Sequence, residues 1–317
     1  MATTLADDSH LQSKPPAFTS ITSGLSRYAL FTVVATYVLI VIGGVVRSTD
    51  SGTACPDWPL CHGEIVPPAE VKVWIEFTHR LAASIVGFLI LGLAFLTWRR
   101  SADDGTLRRA AILSVVLLCV QVIVGGITVG TETAAGVVTI HLTIALTLFS
   151  TLIFITIRMT RSGDRTTGPE ALSLIALAAI FALIITGAFV SQRNAGLAYP
   201  DWPLFDGQLT PSGSEAGQLH YGHRAVAGFA GVLLLALWAL AIRSSAAPTA
   251  VWGLTVALVL FVAQAMLGAA NIWFELHTSV RILHLALASA VWAVLVFTIM
   301  WAWQNGLHLA KETEGYS

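Results

Sequence analysis

The chain has 317 residues, 56% of them hydrophobic and 11% charged, with a formal net charge of −1 and a mean hydropathy of +0.76. A soluble domain carries about 25% charged residues. This chain lacks the charge to cover a water-facing surface, which excludes disordered, collagen-like, disulfide-scaffold and ordinary cytosolic enzyme classes. Near-neutrality argues against nucleic acid as a partner, so a polytopic membrane protein remains.

A membrane span needs about 20 mostly apolar residues. In chain order the sequence predicts eight: Tyr28–Val46, Glu76–Trp98, Arg109–Val129, Val137–Ile157, Leu172–Val190, His223–Ile242, Val251–Ile272 and Val280–Trp303. They are too long and apolar for barrel strands, so helices must satisfy the backbone. Residues 1–27, with Pro15 and Pro16 before the first span, lack a signal-peptide pattern and read as a disordered tail. Residues 304–317 read as a second tail. Lys and Arg set the orientation. Eleven (Lys14, Arg27, Arg99, Arg100, Arg108, Arg109, Arg158, Arg161, Arg165, Arg243, Lys311) fall on one side and six (Arg47, Lys72, Arg80, Arg193, Arg224, Arg281) on the other. The positive-inside rule then places both termini in the cytoplasm and the loops 47–75 and 191–222 outside.

The chain repeats itself. Ala54-Cys55-Pro56-Asp57-Trp58-Pro59-Leu60-Cys61-His62-Gly63 aligns with Ala198-Tyr199-Pro200-Asp201-Trp202-Pro203-Leu204-Phe205-Asp206-Gly207. At the same offset Gly43 meets Gly187, His79-Arg80 meets His223-Arg224, and Gly87 meets Gly231. One residue closer, Gln121 and Gly125 meet Gln264 and Gly268, and His141 meets His284. Two copies of a four-helix unit follow, residues 28–157 and 172–303. An even number of spans per copy makes the repeats parallel, related by an axis along the membrane normal. The expected architecture is an all-α membrane protein of two similar four-helix bundles related by pseudo-two-fold symmetry.

The repeat sorts the nine histidines. His79 and His141 form one pair, His223 and His284 the corresponding other. In each unit one histidine lies near the start of the second helix and one near the start of the fourth. Both helices begin at the outer face, so the two imidazoles can oppose each other at equal depth, as two axial ligands of a haem iron require. Inert helix-end histidines are the bland alternative, and it weakens when two pairs recur at matched depth. Zinc or copper fits less well, because no close Cys/His/carboxylate cluster accompanies each pair. His10 and His308 fall in the tails, and His62 and His277 in or near outer loops.

Glu76 aligns with His220, a difference between otherwise similar copies. A carboxylate one turn from an iron-ligand candidate is costly to desolvate and suggests a role, in moving protons or steadying a cationic intermediate. The alternative is a glutamate complementing the helix dipole. Arg80 and Arg224 are candidates for haem propionates or lipid phosphates, or simply snorkelling interfacial arginines. Cys55 and Cys61 can close a disulfide in an oxidising compartment, as a staple or a redox pair. The second copy has Tyr199 and Phe205 there. Cys119, within span 3, reads as packing.

These residues together resemble the haem A synthase family, membrane enzymes of cytochrome oxidase assembly. The resemblance rests on Gly43-Gly44-x-Val46-Arg47-x-Thr49-x-Ser51-Gly52, Cys55-Pro-Asp-Trp-Pro-Leu-Cys61, Glu76-x-x-His79-Arg80, His141, Gly222-His223-Arg224 and His284, and covers about residues 28–303. It implies oxidation of a haem O methyl group to a formyl group. It implies a haem b cofactor between His223 and His284, a substrate haem between His79 and His141, Glu76 as catalytic glutamate and Cys55–Cys61 as the outer-loop pair. It also implies a cell (plasma) membrane location beside haem O synthase (protohaem farnesyltransferase) and oxidase assembly factors. The electron donor or acceptor is unassigned, and a homo-oligomer stays open. Some family members carry a second cysteine pair where Tyr199 and Phe205 stand. A di-haem b-type electron-transfer protein without turnover is the rival reading, but it gives Glu76 no reason to occur in one copy only. An inverted-repeat transporter fails on parity, since such repeats need an odd number of spans each.

Overall fold

Eight helices fill the described part of the chain, which is residues 18–159, 170–211 and 213–305 of a computed structural model. Lys14, Arg161, Arg165, Lys311, His10 and His308 lie outside the described residues. The helices are α1 (Phe18–Ser48), α2 (Val71–Arg100), α3 (Gly105–Gly130), α4 (Ala135–Met159), α5 (Ala171–Gln192), α6 (Glu215–Arg243), α7 (Pro248–Trp273) and α8 (Thr278–Gln304). All eight are long and apolar enough to cross a membrane, and large side chains such as Phe31 and Phe88 point outward. The chain is an eight-helix membrane protein.

The helices outrun their predicted spans. Residues 18–27, expected in a disordered tail, belong to α1. The helices α2 and α6 start five and eight residues before the expected Glu76 and His223. Hydropathy locates the apolar stretch, whereas caps locate the helix. Ser214 accepts the Gly217 N–H at the start of α6, and Asp104 accepts from Thr106 and Leu107 at the start of α3. Asp104 also pairs with Arg158 at 2.8 Å, tying the start of α3 to the end of α4.

In the first half α1 packs on α2 and α4, α2 on α3, and α3 on α4. In the second half α5 packs on α6 and α8, α6 on α7, and α7 on α8. Two four-membered rings result, joined where α1, α4, α5 and α8 meet. Polar contacts mark that seam: Tyr37 donates to the Ala286 carbonyl, Trp292 to the Ser150 hydroxyl, and Arg47 to the Ser191 carbonyl. These contacts fit the expected relation between halves.

Polar side chains along the spans return to their own backbone. In α4, Thr139, Thr143, Thr147 and Thr151 each donate to the carbonyl four residues back, which hides hydroxyls from lipid.

Packing is uneven along the membrane normal. The two long loops, residues 49–70 and 193–214, share one end with the short α3–α4 and α7–α8 turns. Away from that end the rings are tight: Ile90, Leu93, Leu152, Leu234, Leu237 and Leu254 are almost fully buried. At the depth of the histidines none is buried between Glu76 and Val86 in α2, between Thr139 and Leu146 in α4, or between His220 and Ala230 in α6. Buried residues return nearer the loops, at Glu76, His220 and Ile272. The rings are therefore tighter at both ends than where the histidines sit.

Candidate functional site

The four paired histidines lie at matched heights. His79 follows Val71 by eight residues and His223 follows Glu215 by eight. His141 follows Ala135 by six and His284 follows Thr278 by six. At 1.5 Å per residue the depths are about 12 and 9 Å below the helix starts, more than the helix-end position read from hydropathy. His79 lies within electrostatic range of His141, and His284 of His223.

Each imidazole lies edge-on against a glycine of the neighbouring helix. A Cβ at Gly43 would stand 3.3 Å from His79 Cε1, at Gly125 3.3 Å from His141, at Gly187 2.8 Å from His223, and at Gly268 3.4 Å from His284. Only glycine lets helix and ring approach this closely. The matches of Gly43 with Gly187 and of Gly125 with Gly268 thus acquire a cause.

Behind the rings the halves differ. In the second half, Thr186 Oγ1 donates to the Leu183 carbonyl and lies 3.3 Å from His223 Nδ1. Gln264 lies 3.2 Å from His284 Nδ1. In the first half Nδ1 of His79 and Nδ1 of His141 are buried without a partner, and Gln121 Nε2 lies 3.2 Å from His141 Nε2.

A pair of imidazoles at matched depth in each apolar ring would suit a flat, iron-bearing macrocycle. The buried, unpartnered ring nitrogens and the glycine cradles fit such a group. Among the described residues no three His, Cys, Asp or Glu side chains gather as an ion site.

The long loops repeat in three dimensions. Asp57 accepts the N–H groups of His62 and Gly63, and Asp201 those of Asp206 and Gly207. Gly63 and Gly207 both turn at φ 72°, a conformation glycine adopts without strain. The Gly63 N–H holds the Asp57 carboxyl below the usual carboxylate range, and the Gly207 N–H does the same for Asp201. Arg80 reaches up from α2 to the carbonyls of Asp57, Leu60 and Cys55. Arg224 reaches up from α6 to those of Asp201 and Leu204. Both arginines, candidates for propionate or lipid phosphate, here hold the loops.

Below each arginine the copies diverge. Glu76 is 3% exposed, pairs with Arg80 at 2.5 Å, and accepts the Cys55 N–H at 2.8 Å. Cys55 and Cys61 form a disulfide and are fully buried with Val73. In the other copy His220 is buried, and its Nε2 accepts from Arg224 Nε at 3.1 Å. Tyr199 and Phe205 meet edge to face where the disulfide would be. The structure therefore brings Glu76, Arg80, Cys55 and Cys61 into one cluster. His62 bonds the Ala54 carbonyl within the same loop. Cys119 is exposed on the lipid-facing side of α3 and is not core packing.

Sequence reasoning passed over Thr186 and the two glutamines as partners of the histidines. The glutamines were visible as repeated positions. Thr186 has no counterpart, since Ile42 stands at the equivalent place, so no repeat signal could mark it.

An eight-helix membrane bundle with a histidine pair in each half has the donor set of helical proteins that hold haem. The chain matches the COX15-CtaA family model, described as cytochrome oxidase assembly protein, over residues 26–296. It belongs to that family. It is 30% identical over 307 residues to a protein of Bacillus mycoides named heme A synthase, covering 91% of this chain and 96% of the relative. A Bacillus licheniformis protein of the same name is 26% identical over 295 residues, covering 87% and 95%.

Proposed function

We propose that this protein works in haem A biosynthesis as a haem A synthase, oxidising a methyl group of haem O to a formyl group for cytochrome oxidase. The observation that carries the reading is the pair of histidines in each half, each set against a glycine at matched depth. Relatives named heme A synthase and similar over nearly their whole length support it.

Each half takes a separate part. His79 and His141 hold the iron of substrate haem O, which reaches the first ring from lipid while its farnesyl tail stays among apolar side chains. The change from methyl to formyl removes four electrons and adds one oxygen. Glu76, one turn from His79 on α2, serves as acceptor for a proton released at the methyl carbon. Arg80 and the Cys55 N–H hold the carboxylate by two bonds, leaving it further lone pairs. His223 and His284 would hold a haem b, which would supply one-electron transfer and pass the electrons taken from the methyl group to an external acceptor. The Lys and Arg distribution favours cytoplasmic termini in a plasma membrane, with the disulfide loop outside.

Expression in a host that makes haem O but no haem A tests the activity, with extracted haems separated by chromatography. Haem A or hydroxylated haem O is the expected product. Haem O alone, with two haems bound per protein, would instead indicate a di-haem electron carrier.

A further inference from the structure

The two halves offer nearly identical front faces to a haem and different support behind it. Metal-bound histidines gain affinity when the ring nitrogen away from the metal donates to a fixed acceptor. The shorter contact of the Thr186 hydroxyl is to the Leu183 carbonyl, at 3.0 against 3.3 Å; with its hydrogen there, it can only accept toward His223. That fixes the proton on His223 Nδ1 and leaves the Nε2 lone pair for iron. At His284 the Gln264 amide abuts Nδ1. The atom that faces Nδ1 is the amide Nε2; with His284 Nε2 on iron, Nδ1 keeps its proton, and the amide turns over to accept it through Oε1, which otherwise has no partner. Among the described residues nothing bonds His284 Nε2.

The first half reverses this. Ile42 replaces Thr186 and offers His79 no acceptor. Both Nδ1 atoms are unsupported. Gln121 lies against His141 Nε2, the nitrogen that a haem iron would take. Iron arriving there must displace the Gln121 amide, and iron leaving lets the amide return.

We propose that this asymmetry separates a resident haem from an exchanging one. Thr186 and Gln264 are positioning residues that anchor the histidines of the second half from behind. Gln121 is a placeholder on His141 that lets substrate haem bind and product haem leave. The inference rests on haem being held by the two histidine pairs, as proposed above.

The test uses the full chain in detergent or nanodiscs, loaded with haem and mixed with excess apomyoglobin as haem acceptor. Wild type should release haem in two phases. Thr186→Val, which keeps the side-chain shape, and Gln264→Met should speed the slow phase about 10- to 100-fold and shift the low-spin electron paramagnetic resonance signal. Gln121→Met should slow the fast phase about 2- to 10-fold, since one hydrogen bond no longer competes with iron. Gln121→Asn withdraws the amide by one methylene and carries the same expectation if the methionine variant does not fold. Ile42→Thr should also slow the fast phase.

Wild-type release from Thr186→Val and Gln264→Met would overturn the anchoring role. Faster release from Gln121→Met would overturn the placeholder role. A histidine control separates this inference from the reading beneath it. If His141→Ala and His284→Ala each lose one haem while the other variants behave as wild type, only the inference fails. If the histidine variants keep both haems, the haem seats themselves are misassigned.

Discussion

The two loop corners solve one mechanical problem with different chemistry. Both hang a tight turn on an aspartate that accepts two backbone N–H groups, and both draw the turn down with an arginine from the helix below. Under Arg80 lie a buried carboxylate and a disulfide. Under Arg224 lie a histidine and two aromatic rings. The aspartate and the arginine are thus the scaffold common to both. Glu76, which accepts the Cys55 N–H and pairs with Arg80, and the disulfide are what the first corner adds to it.

The sharpest way to break the comparison is Glu76→Ala. It should lower haem O conversion about 10²- to 10⁴-fold, the range for loss of a proton-transfer group, while haem bound at His223 and His284 stays. Normal conversion by this variant would remove Glu76 from the chemistry.

Next come the arginines. Arg80→Met strands the buried Glu76 carboxylate and should destabilise the first half by about 3–5 kcal/mol. Arg224→Met leaves only His220 and two carbonyls, and should cost about 1–3 kcal/mol. Thermal unfolding of the detergent-solubilised variants compares the two, and equal losses would show that the ion pair adds nothing over the hydrogen bonds.

The disulfide closes a short loop, six residues in sequence separation. Cys55→Ser with Cys61→Ser should cost about 2 kcal/mol through chain entropy and raise the loop's susceptibility to protease. Conversely, Tyr199→Cys with Phe205→Cys should form a second disulfide, readable as a two-dalton mass loss, because the backbone around it is already built. Failure to form would mean that the aromatic corner is spaced differently.

The smallest effect is shared by both corners. Backbone N–H groups lower the pKa of Asp57 and Asp201 from the ordinary 3.8. Their support of the turns is therefore complete above that value and is lost as pH falls through the lower folded one. Acidification below about pH 4 should loosen both loops together, seen in the fluorescence of Trp58 and Trp202. Asp57→Asn should remove the response from the first loop only.

Much of this was legible in the sequence. Eight spans, the two-copy arrangement and the paired histidines follow from apolar length and from residue matches such as His79 with His223. Helix starts were not legible, because Lys72 and Glu76 interrupt the apolar opening of α2, and α6 opens with Glu215, Gly217 and Gln218, which hydropathy leaves outside the membrane. Nor was the work of Arg80 and Arg224, whose partners are loop carbonyls. A carbonyl is present at every residue, and only the fold decides which ones converge. Cys119 read as core because its neighbours are apolar, but in lipid an apolar neighbourhood lies on both faces of a helix.

The four glycines opposite the histidines carry a consequence for damage. Gly43, Gly125, Gly187 and Gly268 bear no chemistry, yet a single methyl at any of them lands on a ring that must stay aligned. At Gly187, where the clearance is smallest, replacement by alanine should displace the His223 ring and empty the proposed haem site while every proposed ligand remains in the chain. An inactive variant with all its histidines intact should therefore be inspected first for a lost hydrogen atom on the opposite helix.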